Sequence, residues 1–391
     1  MNVTTLLSVS FNQDHSCFAC GFQSGFAVFN SEPLKRNQLQ ELGGGVERVE
    51  MLFRCNCVAL VGGGKNPLFP DRFVAIWDDA RKAVVAQMDM HERVFGVRLR
   101  RDRIVVLLRA LIKLYTLTTV PQLVASFDCA QNERGLCSVC PNSQCSLMVY
   151  PCRTKMGAIS VVDLGDVERA PVQIAAHNHP IAALVLNYTG SLAASASTRG
   201  TLIRVFSTKH ATKLHEFRRG SNVALINSVN FSRNSQYLCA ASNRGTIHVF
   251  ALASASEDAA VLSQQNENND SRRSSQATTA TPEHSRDGVV PPATRRHSLL
   301  SLFAESASAI PSFVRIQMPP AARNRTSTQK RASNTQEKHS RCASAPPPVV
   351  TDCAFGADST SIVAVNTDGV YCKYKFNEHG AYERVHYAEF C

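Results

Sequence analysis

Several things are scarce in this sequence. No stretch of its 391 residues reaches the roughly 18 consecutive apolar residues that a membrane-spanning helix needs, so a helical integral membrane protein is excluded. Aromatic residues make up only 7%, with one Trp. Acidic residues are in deficit, 31 against 42 Lys and Arg, a formal charge of +11. That balance argues against an acidic solvating protein and points to an anionic partner, either nucleic acid or an acidic membrane. The start, Met1-Asn2-Val3-Thr4-Thr5-Leu6-Leu7, has neither a basic region nor a long apolar run, so no secretory signal is expected. Nucleophile-elbow, zincin and P-loop motifs are absent. Gly62-Gly63-Gly64-Lys65 comes nearest to a phosphate loop, but it lacks the upstream Gly and is followed by Asn66, and it reads as a turn. We expect no catalytic residue, no cofactor and no enzyme activity.

Cysteine, by contrast, is plentiful at 14 residues. Most lie inside apolar runs such as Leu136-Cys137-Ser138-Val139-Cys140, as reduced thiols packing like small hydrophobes would. The pairs Cys17/Cys20 and Cys137/Cys140 have C-x-x-C spacing but no second half-site. On a strand, residues three apart face opposite sides, which also defeats chelation. No metal site is expected.

Composition changes once along the chain. Residues 253–348 are rich in Ser, Ala, Asn, Gln and Arg and hold 9 of the 17 prolines. Segments such as Glu267-Asn268-Asn269-Asp270-Ser271-Arg272-Arg273 bury too little apolar surface to offset the entropy of ordering, and disorder is expected there. The segment carries +4 of the net charge, which leaves +7 on the remainder.

That remainder is repetitive. Leu186–Gly200 and Phe231–Gly245 align without a gap, 45 residues apart. An apolar anchor recurs at Phe11, Phe53, Leu99, Cys140, Leu186, Phe231 and Phe355, at intervals of 42, 46, 41, 46, 45 and 124. The last interval is one repeat enlarged by the low-complexity segment. Each unit reads as three apolar strands and a more polar fourth, the pattern of a propeller, in which no blade can cover its own faces. The expected fold is all-β, a seven-bladed β-propeller with a long disordered insertion in and after blade 6. The outer strand of that blade is expected within Ser312–Met318. All seven blades own four strands, so closure without a strand swap is expected.

One dipeptide stands out for chemistry. Phe217-Arg218-Arg219-Gly220 ends the fourth strand of the fifth unit. Successive strand side chains point to opposite faces, so Arg218 and Arg219 address two separate clefts. Arg suits bidentate phosphate recognition. On charge alone, a solvated Arg pair protecting an edge strand is the better explanation.

Together with Phe11–Gly21, Glu50–Asn56, Ala59–Gly64, Ile76–Asp79, Leu99–Val106, Gly200–Arg204 and Gly245–His248, this motif makes the chain resemble the PROPPIN (WIPI) family of WD-repeat propellers, whose hallmark is F/L-R-R-G. The similarity skips 253–311 and 319–348, and it leans toward the branch of WD-repeat phosphoinositide-interacting proteins three and four. It implies a phosphoinositide effector of autophagy with two head-group sites. Arg218 would serve one, with His177, Ser197, Thr198, Thr201 and Arg204. Arg219 would serve the other, with Ser221, Ser242, Arg244, Thr246 and His248. The implied ligands are phosphatidylinositol 3-phosphate and 3,5-bisphosphate. An autophagy lipid-transfer protein is the implied partner, bound through Asn12 and Asp14, which also read as an Asx-type turn.

Head-group contact alone anchors weakly, and a second signal is expected. The apolar island holding Leu299, Leu300, Leu302 and Phe303 is the candidate for insertion into the bilayer. Arg295-Arg296-His297-Ser298 beside it resembles a basophilic kinase site. The segment lacks the interleaved aromatics of a single-strand binder, so no nucleic-acid partner is expected. The resulting division is 1–252 for blades 1–6, 253–311 for a membrane-inserting loop, 312–318 for the last strand of blade 6, 319–348 for a linker and 349–391 for blade 7. The chain is expected to be a monomer in the cytoplasm, peripheral on preautophagosomal, phagophore and endosomal membranes. The competing reading is a lipid-independent WD-repeat scaffold.

Overall fold

The computed structural model describes residues 5–252, 309–319 and 349–391. All the elements it contains are strands. Blade 1 is Leu6–Phe11 (β1), Cys17–Phe22 (β2), Gly25–Asn30 (β3) and Lys35–Glu41 (β4). Blade 2 is Val46–Met51 (β5), Cys57–Gly62 (β6), Phe73–Asp78 (β7) and Ala83–Asp89 (β8). Blade 3 is Gly96–Arg100 (β9), Arg103–Leu107 (β10), Leu111–Thr116 (β11) and Leu123–Asp128 (β12). Blade 4 is Ser138–Val139 (β13), Leu147–Pro151 (β14), Ala158–Asp163 (β15) and Val172–Ala175 (β16). Blade 5 is Ile181–Leu186 (β17), Leu192–Ser197 (β18), Leu202–Ser207 (β19) and Lys213–Arg218 (β20). Blade 6 is Ile226–Phe231 (β21), Tyr237–Ser242 (β22), Thr246–Ala251 (β23) and Val314–Gln317 (β25), reached after the short strand Ile310–Pro311 (β24). Blade 7 is Thr351–Phe355 (β26), Ser361–Asn366 (β27), Val370–Phe376 (β28) and Tyr382–Glu389 (β29).

The chain is therefore an all-β, seven-bladed β-propeller, and each blade is an antiparallel sheet of its own four strands, closed without a swapped strand. The seven anchors lie at or just past the ends of the innermost strands. Seven apolar clusters fill the seven gaps between blades. Cys17 packs toward blade 2 and Cys20 toward blade 7, the opposite-face arrangement that period-two alternation dictates. No disulfide is formed among the described residues.

Two features position the candidate site. In β20 the alternation sends Phe217 toward blade 6, where its ring stacks on Phe250 at a centroid distance of 4.9 Å. Glu216 and Arg218 therefore face blade 4, the side on which Phe206 of the paired strand joins the blade 4–5 core. The second feature is β24, which pairs parallel to β20, Phe217 with Ile310 and Arg218 with Pro311, making blade 5 five-stranded. The return leg of the insertion thus runs along the rim of blade 5 before entering blade 6.

Candidate functional site: two clefts on the rim of blade 5

The first cleft lies between blades 4 and 5. His177, in the connection that follows β16, is buried, and its Nε2 lies 3.0 Å from Ser195 Oγ. Burial, helped by the charge of Arg204, holds its pKa down to about 4, so the ring is neutral at pH 7. Arg204 donates from Nε to Glu216 Oε2 at 2.7 Å and from Nη1 to the Ala176 carbonyl at 2.7 Å. Lys213 Nζ also reaches Glu216, at 3.2 Å. Glu216 titrates below the usual carboxylate range: burial opposes this, but Arg204 and Lys213 outweigh it. Ser197 ends β18, and its carbonyl accepts the N–H of Gly200 in a tight turn that leaves Thr198 exposed. Thr201 is half-buried, and its carbonyl accepts the N–H of Arg219.

The second cleft lies between blades 5 and 6. Arg219 is only 9% exposed. Its Nε donates to the Gly200 carbonyl at 2.8 Å and its Nη2 to the Asn222 carbonyl. Gly200 sits at φ +59°, where a Cβ would meet the Ala224 carbonyl oxygen at 1.8 Å, so the arginine is held by a turn only glycine can make. Arg244, in the matching turn of blade 6, donates from Nη2 to the Val223 carbonyl at 3.0 Å. Ser242 and Thr246 are buried and share a hydroxyl hydrogen bond of 2.8 Å. His248 Nδ1 lies 3.1 Å from Ser312 Oγ, and burial, with Arg219 and Arg315 nearby, depresses its pKa to about 4. Burial, then Arg244 and Arg315, lower the pKa of Arg219 as well. Ser221 is exposed at the head of the connection.

By strand parity Arg218 and Arg219 lie on opposite faces of blade 5, with Arg204 and Ser197 on the Arg218 side, whereas Thr201 stands opposite Arg219. Four neighbours were missed. Ser195 and Glu216 lie two residues before Ser197 and Arg218 on the same faces, so alternation could have found them. Ser312 and Arg315 come back from beyond the insertion, and only strand register reveals them.

The other named residues lie elsewhere. Asn12 is 2% exposed; its Nδ2 donates to Ser16 Oγ and the Phe53 carbonyl, and its Oδ1 accepts the Cys17 N–H. Asp14 is exposed in the same turn and accepts from Ser16. Leu299, Leu300, Leu302 and Phe303, and Ser298 with them, lie outside the described residues. Among the described residues no three His, Cys, Asp or Glu side chains gather where they could hold a metal ion. No helix among them is long and apolar enough to cross a membrane.

A further polar region follows the propeller axis, a cavity of about 630 Å³ lined by the inner strands. Glu50 is buried there beside Arg98, and burial pushes its pKa up to about 7. Arg134 donates to the carbonyls of Ala182 and Ile226, next to the irregularities in β17 and β21.

A ring of seven blades, with arginine-bearing clefts on either side of one outer strand, defines the protein as a seven-bladed β-propeller. The chain belongs to the PROPPIN family, whose profile matches residues 5–265. It is 34% identical over 284 residues to SVP1-like protein 2 of Debaryomyces hansenii, a match covering 63% of this chain and 66% of the relative. Autophagy-related protein 18 of Dictyostelium discoideum is 37% identical over 247 residues, covering 63% and 65%. The chain thus spans about two thirds of the length of these relatives. Among solved structures, Hsv2 of Kluyveromyces lactis superposes with a TM-score of 0.70 at 22% identity, covering 99% of this chain and 100% of that one. Atg21, solved in complex with the coiled coil of Atg16, superposes at 0.66 and 20% identity, covering 99% and 100%.

Proposed function

We propose that this protein is a phosphoinositide effector and scaffold of autophagosome formation. It docks peripherally on preautophagosomal, phagophore and endosomal membranes, recruits an autophagy lipid-transfer protein and catalyses no reaction itself. The observation that carries the reading is the pair Arg218 and Arg219, back to back on one rim strand, each facing a cleft lined by neutral histidine, hydroxyl groups and further arginine. Phosphatidylinositol 3-phosphate and 3,5-bisphosphate suit such clefts: guanidinium groups supply charge, and Ser, Thr and His donors fix the orientation of the ring. Membership of the PROPPIN family and the relative named autophagy-related protein 18 support the same reading.

The apolar residues Leu299, Leu300, Leu302 and Phe303 supply the second anchor by entering the bilayer, each fully buried side chain contributing about 1.5–3 kcal/mol. Asp14 and the turn built on Asn12 form the partner contact on blade 1, as in the branch of members three and four. The protein acts as a monomer.

The deciding experiment is flotation with vesicles carrying each phosphoinositide. Wild type is expected to float with the 3-phosphate and 3,5-bisphosphate lipids, and Arg218→Thr/Arg219→Thr to stay in the soluble fraction. Equal flotation of the two proteins overturns the lipid reading. The scaffold reading, to which the coiled-coil complex of the Atg21 neighbour lends weight, would then stand alone. Leu302→Asp/Phe303→Asp is expected to lose flotation while keeping soluble head-group binding; undiminished flotation removes the island from the mechanism.

A further inference from the structure

Cys140 and Cys145 bracket the turn 141–144 that joins β13 to β14 in blade 4. The Cys140 N–H donates to the Leu147 carbonyl at 2.8 Å and the Cys145 N–H to the Asn142 carbonyl at 3.2 Å, so the two cysteines stand on the two sides of one hairpin end. Both sulfurs turn toward Gly190 of blade 5. A Cβ on that glycine would lie 2.3 Å from Cys145 Sγ and 3.2 Å from Cys140 Sγ, and its third nearest atom is Cys145 Cβ. The space left by the missing side chain of Gly190 is therefore where the two sulfurs meet. Sulfurs sharing a space of that size are close enough for side-chain rotation to bring them to bonding distance. Cys140 is fully buried, and its Sγ donates to the Tyr188 carbonyl of blade 5 at 3.4 Å; Cys145 is half-buried and meets solvent. Arg100 of blade 3 reaches the same turn, its Nη2 donating to the Ser143 carbonyl at 3.4 Å while its Nε pairs with Asp102 at 3.1 Å. Cys145 titrates below the ordinary thiol range: the Cys140 thiol, then the Leu147 N–H and Arg100, favour its thiolate and outweigh burial and Asp163. The same thiol contact, with burial, pushes Cys140 up. Cys239 and Cys353 also approach, their sulfurs 3.6 Å apart, but both are wholly buried between blades 6 and 7, out of reach of a solute.

We propose that Cys140 and Cys145 form an oxidant-sensitive dithiol, which hydrogen peroxide converts into a reversible disulfide within blade 4. Cys145 is the attacking sulfur. Its thiolate breaks the peroxide O–O bond and becomes a sulfenic acid; the hydroxide set free takes the proton that Cys145 gave up on ionising and leaves as water. Cys140 then loses its proton and attacks Cys145 Sγ. The S–S bond forms as the S–O bond breaks, and the departing hydroxide takes the Cys140 proton and leaves as a second water. Two thiols lose two electrons in all, and one peroxide is reduced to two waters. In the oxidised form the Cys140 sulfur has no hydrogen left to donate to the Tyr188 carbonyl, so the change is felt across the seam between blades 4 and 5.

The test exposes full-length folded protein to hydrogen peroxide at neutral pH and maps its cysteines by mass spectrometry after chymotryptic digestion. The peptide 137–147 is expected to lose two hydrogens, with the link between Cys140 and Cys145, and dithiothreitol is expected to restore them. Cys145 is expected to be oxidised roughly five- to tenfold faster than the exposed Cys55, the advantage of a thiolate populated at neutral pH. Cys140→Ser should leave Cys145 as a sulfenic acid that dimedone captures, and Cys145→Ser should leave Cys140 unmodified. Melting temperatures check that both variants fold, and the wild-type map decides by itself if either does not. The proposal is overturned if Cys145 reacts no faster than Cys55, if Cys140 pairs with a cysteine other than Cys145, or if Cys239 and Cys353 become linked first.

Discussion

His177 and His248 are aromatic bases kept uncharged by their surroundings. Burial is the main cause for both, with the charge of Arg204 adding at His177 and the charges of Arg219 and Arg315 at His248. Their folded pKa values of about 4 lie below the ordinary imidazole value of 6.5, so the unfolded chain binds protons first on acidification. The stability they contribute is complete above pH 6.5 and is lost as pH falls through 4. A bound phosphate reverses this preference by favouring imidazolium, so binding takes up protons. Head-group affinity is expected to rise several-fold from pH 7.5 to pH 5.5, and the rise should shrink in His177→Gln/His248→Gln, measured by titration at both values. Glu50 has the opposite sign. Its folded pKa of about 7 exceeds the ordinary glutamate value of 4.5, so stability falls as pH rises across that interval. Glu50→Gln is expected to flatten this slope and to raise stability at pH 8 by up to about 3 kcal/mol, read from urea melts at pH 5 and pH 8.

Among the elements, β20 was the most legible. Phe217 had to face a core, and its neighbours then had to point away from it on both sides. The turn that fixes Arg219 was legible only in part: glycine is visible at position 200, but the carbonyl it presents to the arginine is not. Gly200→Ala places a Cβ 1.8 Å from the Ala224 carbonyl at a positive φ and moves the acceptor of Arg219 Nε. It is expected to cost about 2 kcal/mol or more of stability and to weaken the blade 5–6 cleft more than the blade 4–5 cleft, measured by melting and by head-group titration in the Arg218→Thr and Arg219→Thr backgrounds. The strand β24 had no sequence signal. Two residues, one of them Pro, carry no periodicity, and the hydrogen-bonding edge they cover belongs to a strand nearly a hundred residues earlier.

Over the whole molecule, ring closure depends on contacts between segments far apart in sequence. Asp352 at the start of blade 7 accepts from Ser228 Oγ of blade 6 at 2.5 Å, although the two are 124 residues apart. Asn230 Nδ2 donates to the Cys353 carbonyl at 2.7 Å, and Tyr371 Oη to the Ser31 carbonyl at 2.7 Å. Asp352 and Asn230 thus join blades 6 and 7, and Tyr371 joins blade 7 to blade 1. Asp352→Ala removes the shorter of the two acceptors of Ser228 Oγ, leaving it the Cys353 carbonyl at 3.3 Å, and is expected to lower stability by roughly 1–3 kcal/mol. Proteolysis should then release blade 7 first; cleavage spread evenly over all blades would show that closure does not depend on this residue.

Blade number, the four-strand unit and the opposite facing of Arg218 and Arg219 followed from sequence alone, because strand alternation and a repeat of some 40 residues are local properties that packing need not supply. The structure alone revealed that Glu216 pairs with Arg204 and Lys213, that Ser312 and Arg315 come to stand beside His248, that Asn12 is buried in its turn and that Asp352 ties blade 6 to blade 7. Each of these depends on register between strands separated by a turn, a blade or the whole insertion. Register is set by which apolar faces bury one another once the ring has formed, and a linear pattern of residue types does not encode that distance.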